Sequence, residues 1–167
     1  MKYDIGTPTT LNIDAFGFPG ERTFRIFLEC SGSSISLWLE KQQLFELAMA
    51  ISRLLEVIRT DKPEEMYLDE RLDPIDKIPL EIDFTVGRLS LAHNPASNLF
   101  IIEAYNISDD MNDEATITFH IAKAKLQDIS TEALKICASG RPICSLCGEP
   151  MDLELHICSE PDGIIQI

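Results

Sequence analysis

Three short stretches near the start of the chain alternate apolar and polar residues. They are residues 10–17 (TLNIDAFG), 23–30 (TFRIFLEC) and 35–40 (ISLWLE). Successive side chains of a strand point to opposite faces, so a period of two predicts half-buried β-strands. Pro19 and Gly20 lie in the turn after the first stretch, and the polar loop SGSS follows the second. This part of the chain therefore predicts three consecutive antiparallel strands joined by short connections.

The period then changes, and apolar residues recur at steps of three and four. The positions are Leu44, Leu47, Ala48, Ile51, Leu54, Leu55 and Ile58. This spacing places one apolar stripe along a helix, which we predict from about Glu40 to Arg59. Residues 60–79 follow with seven acids, three bases and three prolines. Because that stretch has little periodicity and high charge, it predicts an exposed linker.

The second half of the chain repeats this order of patterns. Strand patterns return at residues 81–94, 99–107 and 115–122, and a helical pattern covers residues 123–140. Gly87 lies inside the first of these strands and predicts a β-bulge there. The helical stripe consists of Ala122, Leu126, Ile129, Ala133, Ile136 and Cys137. Gly140 is a suitable C-terminal stop for this helix.

Each half thus reads strand, turn, strand, polar loop, strand, helix. The pattern predicts an α+β domain over residues 1–140, made of two tandem βββα units at about 8–59 and 80–139 with the acidic linker 60–79 between them. We expect the two units to pool their strands into an antiparallel sheet with the helices packed on it. The alternative is that an α+β domain of this size gives such an order by chance.

The last part of the chain, residues 141–167, concentrates metal-binding side chains. Cys144-x-x-Cys147 is followed, after eight residues, by His156-x-Cys158. Two thiolates two residues apart can grip one ion from a tight turn, which Gly148 allows to close. Three thiolates and one imidazole suit tetrahedral zinc. The alternatives are a reduced Cys-x-x-Cys with an unrelated nearby histidine, a redox cysteine pair, or iron on the same ligands.

Four protein ligands would leave no open position for water on the metal, so we predict one structural zinc ion in a zinc knuckle. Catalytic zinc deaminases need a His-x-Glu motif, and His156 is followed by Ile157 and Cys158. A tail of about 25 residues holds too little apolar surface to fold unaided, and a bound ion supplies the missing folding free energy.

Charge and composition restrict the classes of partner. The formal net charge is −14, which disfavours nucleic acid and anionic membrane surfaces. The chain has no apolar run of the ~18 residues that a membrane span needs, and no signal-peptide core is present near Met1. Five cysteines, an odd number, do not suit a disulfide framework. We therefore expect a cytoplasmic protein, with Cys30 and Cys137 as buried thiols.

Two functional hypotheses follow from the residues. The first is a non-enzymatic protein-interaction or scaffold module in which zinc holds a docking surface. The alternative is an enzyme with an active site between the two repeats and zinc as a remote structural ion. Polar side chains in sheet contexts, Arg22, Glu40, Glu103 and His120, are its candidate site residues. No serine-nucleophile elbow, Walker loop or dinucleotide-binding glycine motif occurs in the sequence, and no residue is predicted to be catalytic in the first hypothesis.

Several motifs resemble those of a bacterial family common in actinobacteria, the domain of unknown function three thousand and ninety. They are PGERTF at 19–24, LEKQQ at 39–43, FTVGRLSL at 84–91, IIEA at 101–104, SGRPICSLCGEPMDLELHIC at 139–158 and DG at 162–163. The sequence departs from the family at Leu155, where glycine is frequent, and in the CSEPDG ending. The resemblance implies no established activity. Members of this family are often encoded beside a histidine-phosphatase-like and a lipid-kinase-like protein, and the resemblance therefore implies a shared pathway or complex.

Overall fold

The structure is a computed structural model that describes residues 3–18, 20–58, 79–109, 114–139, 144 and 146–148. These residues form seven strands and two helices. In chain order they are β1 (Tyr3–Asp4), β2 (Thr10–Phe16), β3 (Thr23–Cys30), β4 (Ser33–Leu39), α1 (Lys41–Val57), β5 (Glu81–Asn94), β6 (Leu99–Asn106), β7 (Ile117–Ile121) and α2 (Lys123–Ala138).

The strands alternate buried and accessible side chains as their sequences predict. In β3, Phe24, Ile26 and Leu28 are buried, whereas Arg25 and Phe27 are only half-buried. β6 and β7 show the same period, with Phe100, Ile102, Ile117 and Phe119 in the core. One face of the sheet therefore supplies most of the hydrophobic core, and the opposite face carries polar and aromatic side chains.

All seven described strands belong to one sheet with the order β1-β7-β6-β5-β4-β3-β2. The sheet is mixed, which corrects the expectation of a purely antiparallel one. β4 and β5 pair in parallel, as do β1 and β7. The reason lies in the connections: α1 follows β4 and carries the chain back, so β5 enters the sheet in the same direction as β4. β1, which the sequence pattern did not predict, adds a short seventh strand beside β7.

β5 connects the two halves of the sheet. Its first part, Glu81–Thr85, pairs with β4, and its second part, Arg88–Asn94, pairs with β6. The register shifts between Val86 and Arg88, which confirms the bulge predicted at Gly87. A Cβ atom at position 87 would lie 2.9 Å from the Cα atom of Ile107, so only glycine fits this approach.

The two helices have matching buried positions and pack against each other. Leu44, Leu47, Ala48 and Ile51 are buried in α1, and Leu126, Ile129, Ser130, Ala133 and Cys137 are buried in α2. Counted from the first residue of each helix, positions four, seven, eight and eleven are buried in both, and α2 adds position fifteen. One residue separates strand from helix in both halves: Glu40 between β4 and α1, and Ala122 between β7 and α2. Strand order and helix burial thus follow the same plan twice.

Some predicted segments lie outside the described residues. These are the linker 60–78 and nearly all of the tail, apart from Cys144 and the stretch 146–148. The proposed division at residue 140 and the zinc knuckle therefore stay predictions. Within the described residues, no helix combines the length and apolar character that a membrane crossing needs.

Candidate functional site

The described part of the tail forms a tight turn around the Cys-x-x-Cys motif. The N–H of Gly148 donates to the carbonyl oxygen of Cys144 at 2.9 Å, and Gly148 has a φ of +73°. Cys144 is only 1% exposed, while Cys147 is half-buried. A turn closed by a residue in the left-handed region is the local structure that a two-thiolate grip on one ion needs.

The other two predicted ligands, His156 and Cys158, lie outside the described residues. Across the part of the chain that the structure describes, no group of three or more His, Cys, Asp or Glu side chains is assembled in a metal-binding arrangement. The full four-ligand set therefore remains a prediction, of which two members have a described backbone.

Arg22 binds the chain segment from which the tail departs. Its guanidinium donates from Nη1 to the hydroxyl oxygen of Ser139 at 3.1 Å and from Nη2 to the carbonyl oxygen of Ser139. The same guanidinium lies 5.6 Å from the centroid of the Phe24 ring. Ser139 is the C-terminal cap of α2. Arg22 therefore connects the start of β3 to the end of α2, which is a structural role.

Glu40 and Gln43 form the entrance to α1. The backbone N–H of Glu40, the residue before the helix, donates to Oε1 of Gln43 at 2.9 Å. Nε2 of Gln43 donates in turn to the carbonyl oxygen of Val86 at 3.0 Å. One amide side chain thus satisfies a helix terminus and a carbonyl of β5. Glu40 belongs to this helix start and does not approach the other candidate residues in the described contacts.

Glu103 and His120 do share a surface, the helix-free face of β6 and β7. Nε2 of His120 lies 3.2 Å from both carboxylate oxygens of Asp4 in β1. Glu103 accepts a hydrogen bond from the hydroxyl of Tyr105 at 3.1 Å. Glu103 pairs with Thr118 in the register and His120 with Ile101, so the two lie on neighbouring strands. A histidine beside a carboxylate can act as a general base. The four candidate site residues therefore lie in three separate places: Arg22 at the end of α2, Glu40 at the start of α1, and Glu103 with His120 on this face.

An aromatic cluster around Arg25 occupies the other half of the helix-free face. The guanidinium lies 5.0, 5.1 and 5.7 Å from the ring centroids of Phe16, Phe27 and Trp38, and donates to Asp14 at 2.7 Å. Cation–π contact and an ion pair hold this group in one arrangement. No motif in the sequence marks this cluster, and the alternation along residues 23–30 shows only that Arg25 and Phe27 share one face of the strand.

The described contacts close the junction between the two halves. On the helix-free face, Nε1 of Trp38 donates to the carboxylate of Asp83 at 3.0 and 3.1 Å. On the helical side, the hydroxyl of Ser130 donates to the carbonyl oxygen of Ala48 at 3.1 Å and lies 3.3 Å from that of Ser52. Between these two sets of side-chain contacts, backbone hydrogen bonds between β4 and β5 join the two halves of the sheet. These contacts fill the middle of the junction between the two halves, where the enzyme hypothesis expects an active site.

Two surface grooves each lie between a helix of one half and the first strand of the other. The β2 groove has a volume of about 350 Å³ and is lined by Leu11, Asn12, Ile13, Asp14, Lys125, Asp128, Ile129 and Glu132. The β5 groove has a volume of about 310 Å³ and is lined by Gln43, Glu46, Leu47, Ala50, Gly87, Arg88, Leu89, Ser90 and Leu91. In both, helix positions three, six, seven and ten form the wall.

Comparison with known families gives one match. A family model described as a protein of unknown function (DUF3090) matches residues 3–158, nearly the whole chain and all four predicted metal ligands. No curated protein and no solved structure matches the chain.

Proposed function

We propose that this chain, which belongs to the DUF3090 family of proteins of unknown function, is a non-enzymatic protein-interaction module stabilised by one structural zinc ion. Cys144, Cys147, His156 and Cys158 are the proposed ligands. The proposal includes the tandem origin of the two βββα units and a location in the reducing cytoplasm, where thiolate ligands stay available.

The turn between Cys144 and Gly148 is the observation that carries the metal proposal. It gives the first thiolate pair the compact backbone that zinc sites of this type require, with the bond from the N–H of Gly148 at 2.9 Å. Burial of Cys144 points in the same direction, since a thiolate ligand of a structural ion is shielded from water. His156 and Cys158 would complete a closed tetrahedral set, and the ion would fold the tail against the domain.

Binding rather than catalysis is favoured by what the candidate residues already do. Arg22 holds the cap of α2, and Glu40 belongs to the start of α1. The Trp38–Asp83 and Ser130–Ala48 contacts fill the middle of the junction between the halves, and none of the four candidate residues lines the β2 or β5 groove beside it. The partner we propose is a protein, and the phosphatase-like and kinase-like proteins associated with the family are the first candidates. The charge of −14 makes nucleic acid and anionic membranes poor alternatives.

An enzyme is the second candidate, favoured by the Asp4–His120 pair alone. His120 lies 3.2 Å from the carboxylate on a sheet face that also carries Glu103. The His120→Asn variant distinguishes the two candidate functions. It would abolish turnover by a histidine base, whereas an interaction module would keep its affinity for the partner, and we expect the second result.

Cys147→Ser tests the zinc proposal directly. We expect purified protein to contain about one zinc ion per chain, and Cys147→Ser to release it and lower the melting temperature, because one thiolate ligand is lost. Zinc is measured by elemental analysis and stability by circular dichroism. Cys30→Ser is the matched control, because the thiol of Cys30 donates to the carbonyl oxygen of Ile5, far from the tail in sequence. The Cys30→Ser protein should therefore keep its zinc. Full zinc content and unchanged melting in Cys147→Ser would rule out the structural role.

The interaction proposal is tested by affinity purification from the native cell, followed by reconstitution of each captured protein from purified components. A true partner binds the zinc-loaded chain with a defined stoichiometry in isothermal titration calorimetry. If no captured protein reproduces binding in purified form, the interaction role fails, whatever the metal content.

A further inference from the structure

We propose that the β2 groove binds an extended, basic segment of a partner protein, which adds to the sheet as a further strand beside β2. This inference rests on the proposed interaction function and identifies its binding site and the chemistry of its ligand. The structural basis is the strand β2, whose outer side has no strand partner among the described residues, next to buried apolar side chains and an acidic helix wall.

β2 is the last strand of the sheet on its side and pairs only with β3 in the part of the chain that the structure describes. Its seven residues pair without a register shift, from Thr10 opposite Glu29 to Phe16 opposite Thr23. A regular strand presents alternate N–H and C=O groups along its outer edge. An extended peptide backbone satisfies those groups by strand addition.

The floor of the groove is apolar and almost completely buried. Leu11 and Ile13 of β2 are 5% and 8% exposed, and Ile129 of α2 is 4% exposed. Because these side chains are already buried, they leave little apolar surface for a ligand, and main-chain hydrogen bonds along β2 would supply most of the affinity. Alternate side chains of a bound strand would reach the helix wall.

The helix wall selects for positive charge. Asp128 and Glu132 of α2 are exposed in the lining, against one cation, Lys125. Asp14 also lines the groove, but Arg25 already pairs with it at 2.7 Å. The lining therefore carries one more acid than base after the Asp14–Arg25 pair is set aside, and on a chain with a net charge of −14 this favours a basic segment over a second copy of the same chain.

The β5 groove has the same geometry but lacks these properties. Nε2 of Gln43 donates to the carbonyl oxygens of Val86 and Gly87, so it occupies acceptors of β5. The bulge at Gly87 also interrupts the register of that strand, a feature that protects edges from pairing. Its wall carries Glu46, with Arg88 opposite. The β2 groove is therefore the one suited to strand addition, and the β5 groove provides a matched control.

The test uses a fluorescein-labelled peptide of alternating lysine and valine residues, long enough to span the seven residues of β2. Its affinity is measured by fluorescence anisotropy at low ionic strength with the intact, zinc-loaded chain. Two comparison peptides replace lysine by glutamate or carry N-methyl groups on alternate amides. Two double variants, Asp128→Lys/Glu132→Lys and Glu46→Lys/Glu56→Lys, change the net charge of the chain by the same amount.

We expect the lysine–valine peptide to bind the unmodified chain, and the glutamate and N-methyl peptides to bind at least about tenfold more weakly. Asp128→Lys/Glu132→Lys should also weaken binding at least about tenfold, because it reverses the wall charge at the site. Glu46→Lys/Glu56→Lys should change affinity by less than about threefold, since Glu46 lines the other groove and Glu56 is an exposed residue of α1 outside the β2 groove. Bound peptide should slow amide hydrogen exchange in β2.

Equal loss in the two double variants would show that binding follows only the overall charge and would overturn the proposal, as would no measurable binding or full binding of the N-methyl peptide. The proposed interaction function is decided by a different measurement, the binding of a reconstituted partner. If a reconstituted partner binds Asp128→Lys/Glu132→Lys as well as the unmodified chain, the interaction role stands and the β2 groove is wrong. If no partner can be reconstituted while the peptide binds as expected, the interaction role lacks its natural ligand and fails.

Discussion

Arg22 shows how one side chain can join parts of the chain that are far apart in sequence. It lies before β3, yet it donates to both the hydroxyl and the carbonyl oxygen of Ser139 at the end of α2. Only a planar guanidinium offers two donors in this fork, because a lysine ammonium is a single point charge. The position at which the tail departs from the domain therefore depends on Arg22.

Arg22→Lys should lower the free energy of unfolding by about 1–2 kcal/mol, because a single ammonium nitrogen keeps the charge but cannot reproduce the two bonds made by separate guanidinium nitrogens. Urea denaturation followed by circular dichroism measures the change. Arg53→Lys is the control, since Arg53 is exposed on α1, and we expect less than about 0.5 kcal/mol there. Equal effects in the two variants would mean that the fork at Ser139 contributes nothing.

At the residue scale, the sequence predicted which way side chains point but not what they contact. The alternation along residues 23–30 correctly predicted a half-buried strand, and in the structure Phe24 lies in the core and Arg25 on the other face. It could not predict that Arg25 meets Phe16 and Trp38, because those contacts depend on which strands are neighbours and in what register. For the same reason, Arg22 and Glu40 were candidate site residues by type and proved to be structural by contact.

At the scale of the element, the start of α1 is coupled to β5 through Gln43. Its amide oxygen accepts from the N–H of Glu40, and its amide nitrogen donates to Val86. A glutamate at this position would keep the acceptor and would also favour the helix N-terminus electrostatically. It would lose the donor and place a carboxylate against a carbonyl oxygen.

Gln43→Glu should therefore destabilise the chain by about 2 kcal/mol, although a pure capping role predicts no loss or a gain. Gln127→Glu, an exposed position on α2, is the matched control and should change stability by less than about 0.5 kcal/mol. Both are measured by urea denaturation. Stabilisation by Gln43→Glu would show that the bond to β5 is unimportant.

Gly87 permits the bulge at which β5 changes partners. An alanine Cβ would meet the Cα atom of Ile107 at 2.9 Å, and a backbone atom cannot rotate away. Gly87→Ala should cost about 1–3 kcal/mol. Thermal unfolding compares it with Ser90→Ala, three positions further along β5, for which we expect a change near zero. A melting temperature equal to that of Ser90→Ala would mean that β5 and β6 separate easily at this point.

Elements were the most predictable level of this fold. The bounds of β3 and β5 and the start of α2 match the sequence pattern, because long alternating or helical stretches leave few alternatives. β1 was missed since two residues, Tyr3 and Asp4, are too few to show a period. β1 forms because the edge of β7 is available for pairing, and the local sequence pattern holds no information about that edge.

At the scale of the whole molecule, strand order was the part that the sequence could not supply. Two strand triplets were predicted, but a single parallel pair, β4 with β5, joins them. That pairing depends on the path of α1 across the sheet and not on any residue of either strand. The predicted metal ligands rest on their spacing in the sequence, whereas the two grooves arise only when each helix packs beside the first strand of the other half.

The net charge of −14 should make the stability of the whole chain depend on salt. Raising sodium chloride from about 0.01 M to about 0.2 M shortens the screening length severalfold and weakens the repulsion among the acids. We expect the melting temperature to rise by a few degrees, measured by circular dichroism. The Asp128→Lys/Glu132→Lys variant, with a smaller net charge, should gain less. A melting temperature that does not change with salt would show that the acids are compensated locally.

The single residues that join strand to helix, Glu40 and Ala122, restrict how this chain can change in length during evolution. One inserted residue would rotate the following helix by about 100° and turn its apolar stripe away from the sheet. Insertions and deletions should therefore be rare at both one-residue connections. The connection between α1 and β5 does not set the orientation of a helix face, so its length can vary. A survey of relatives in which lengths vary at position 40 or 122 as often as between positions 58 and 79 would contradict this expectation.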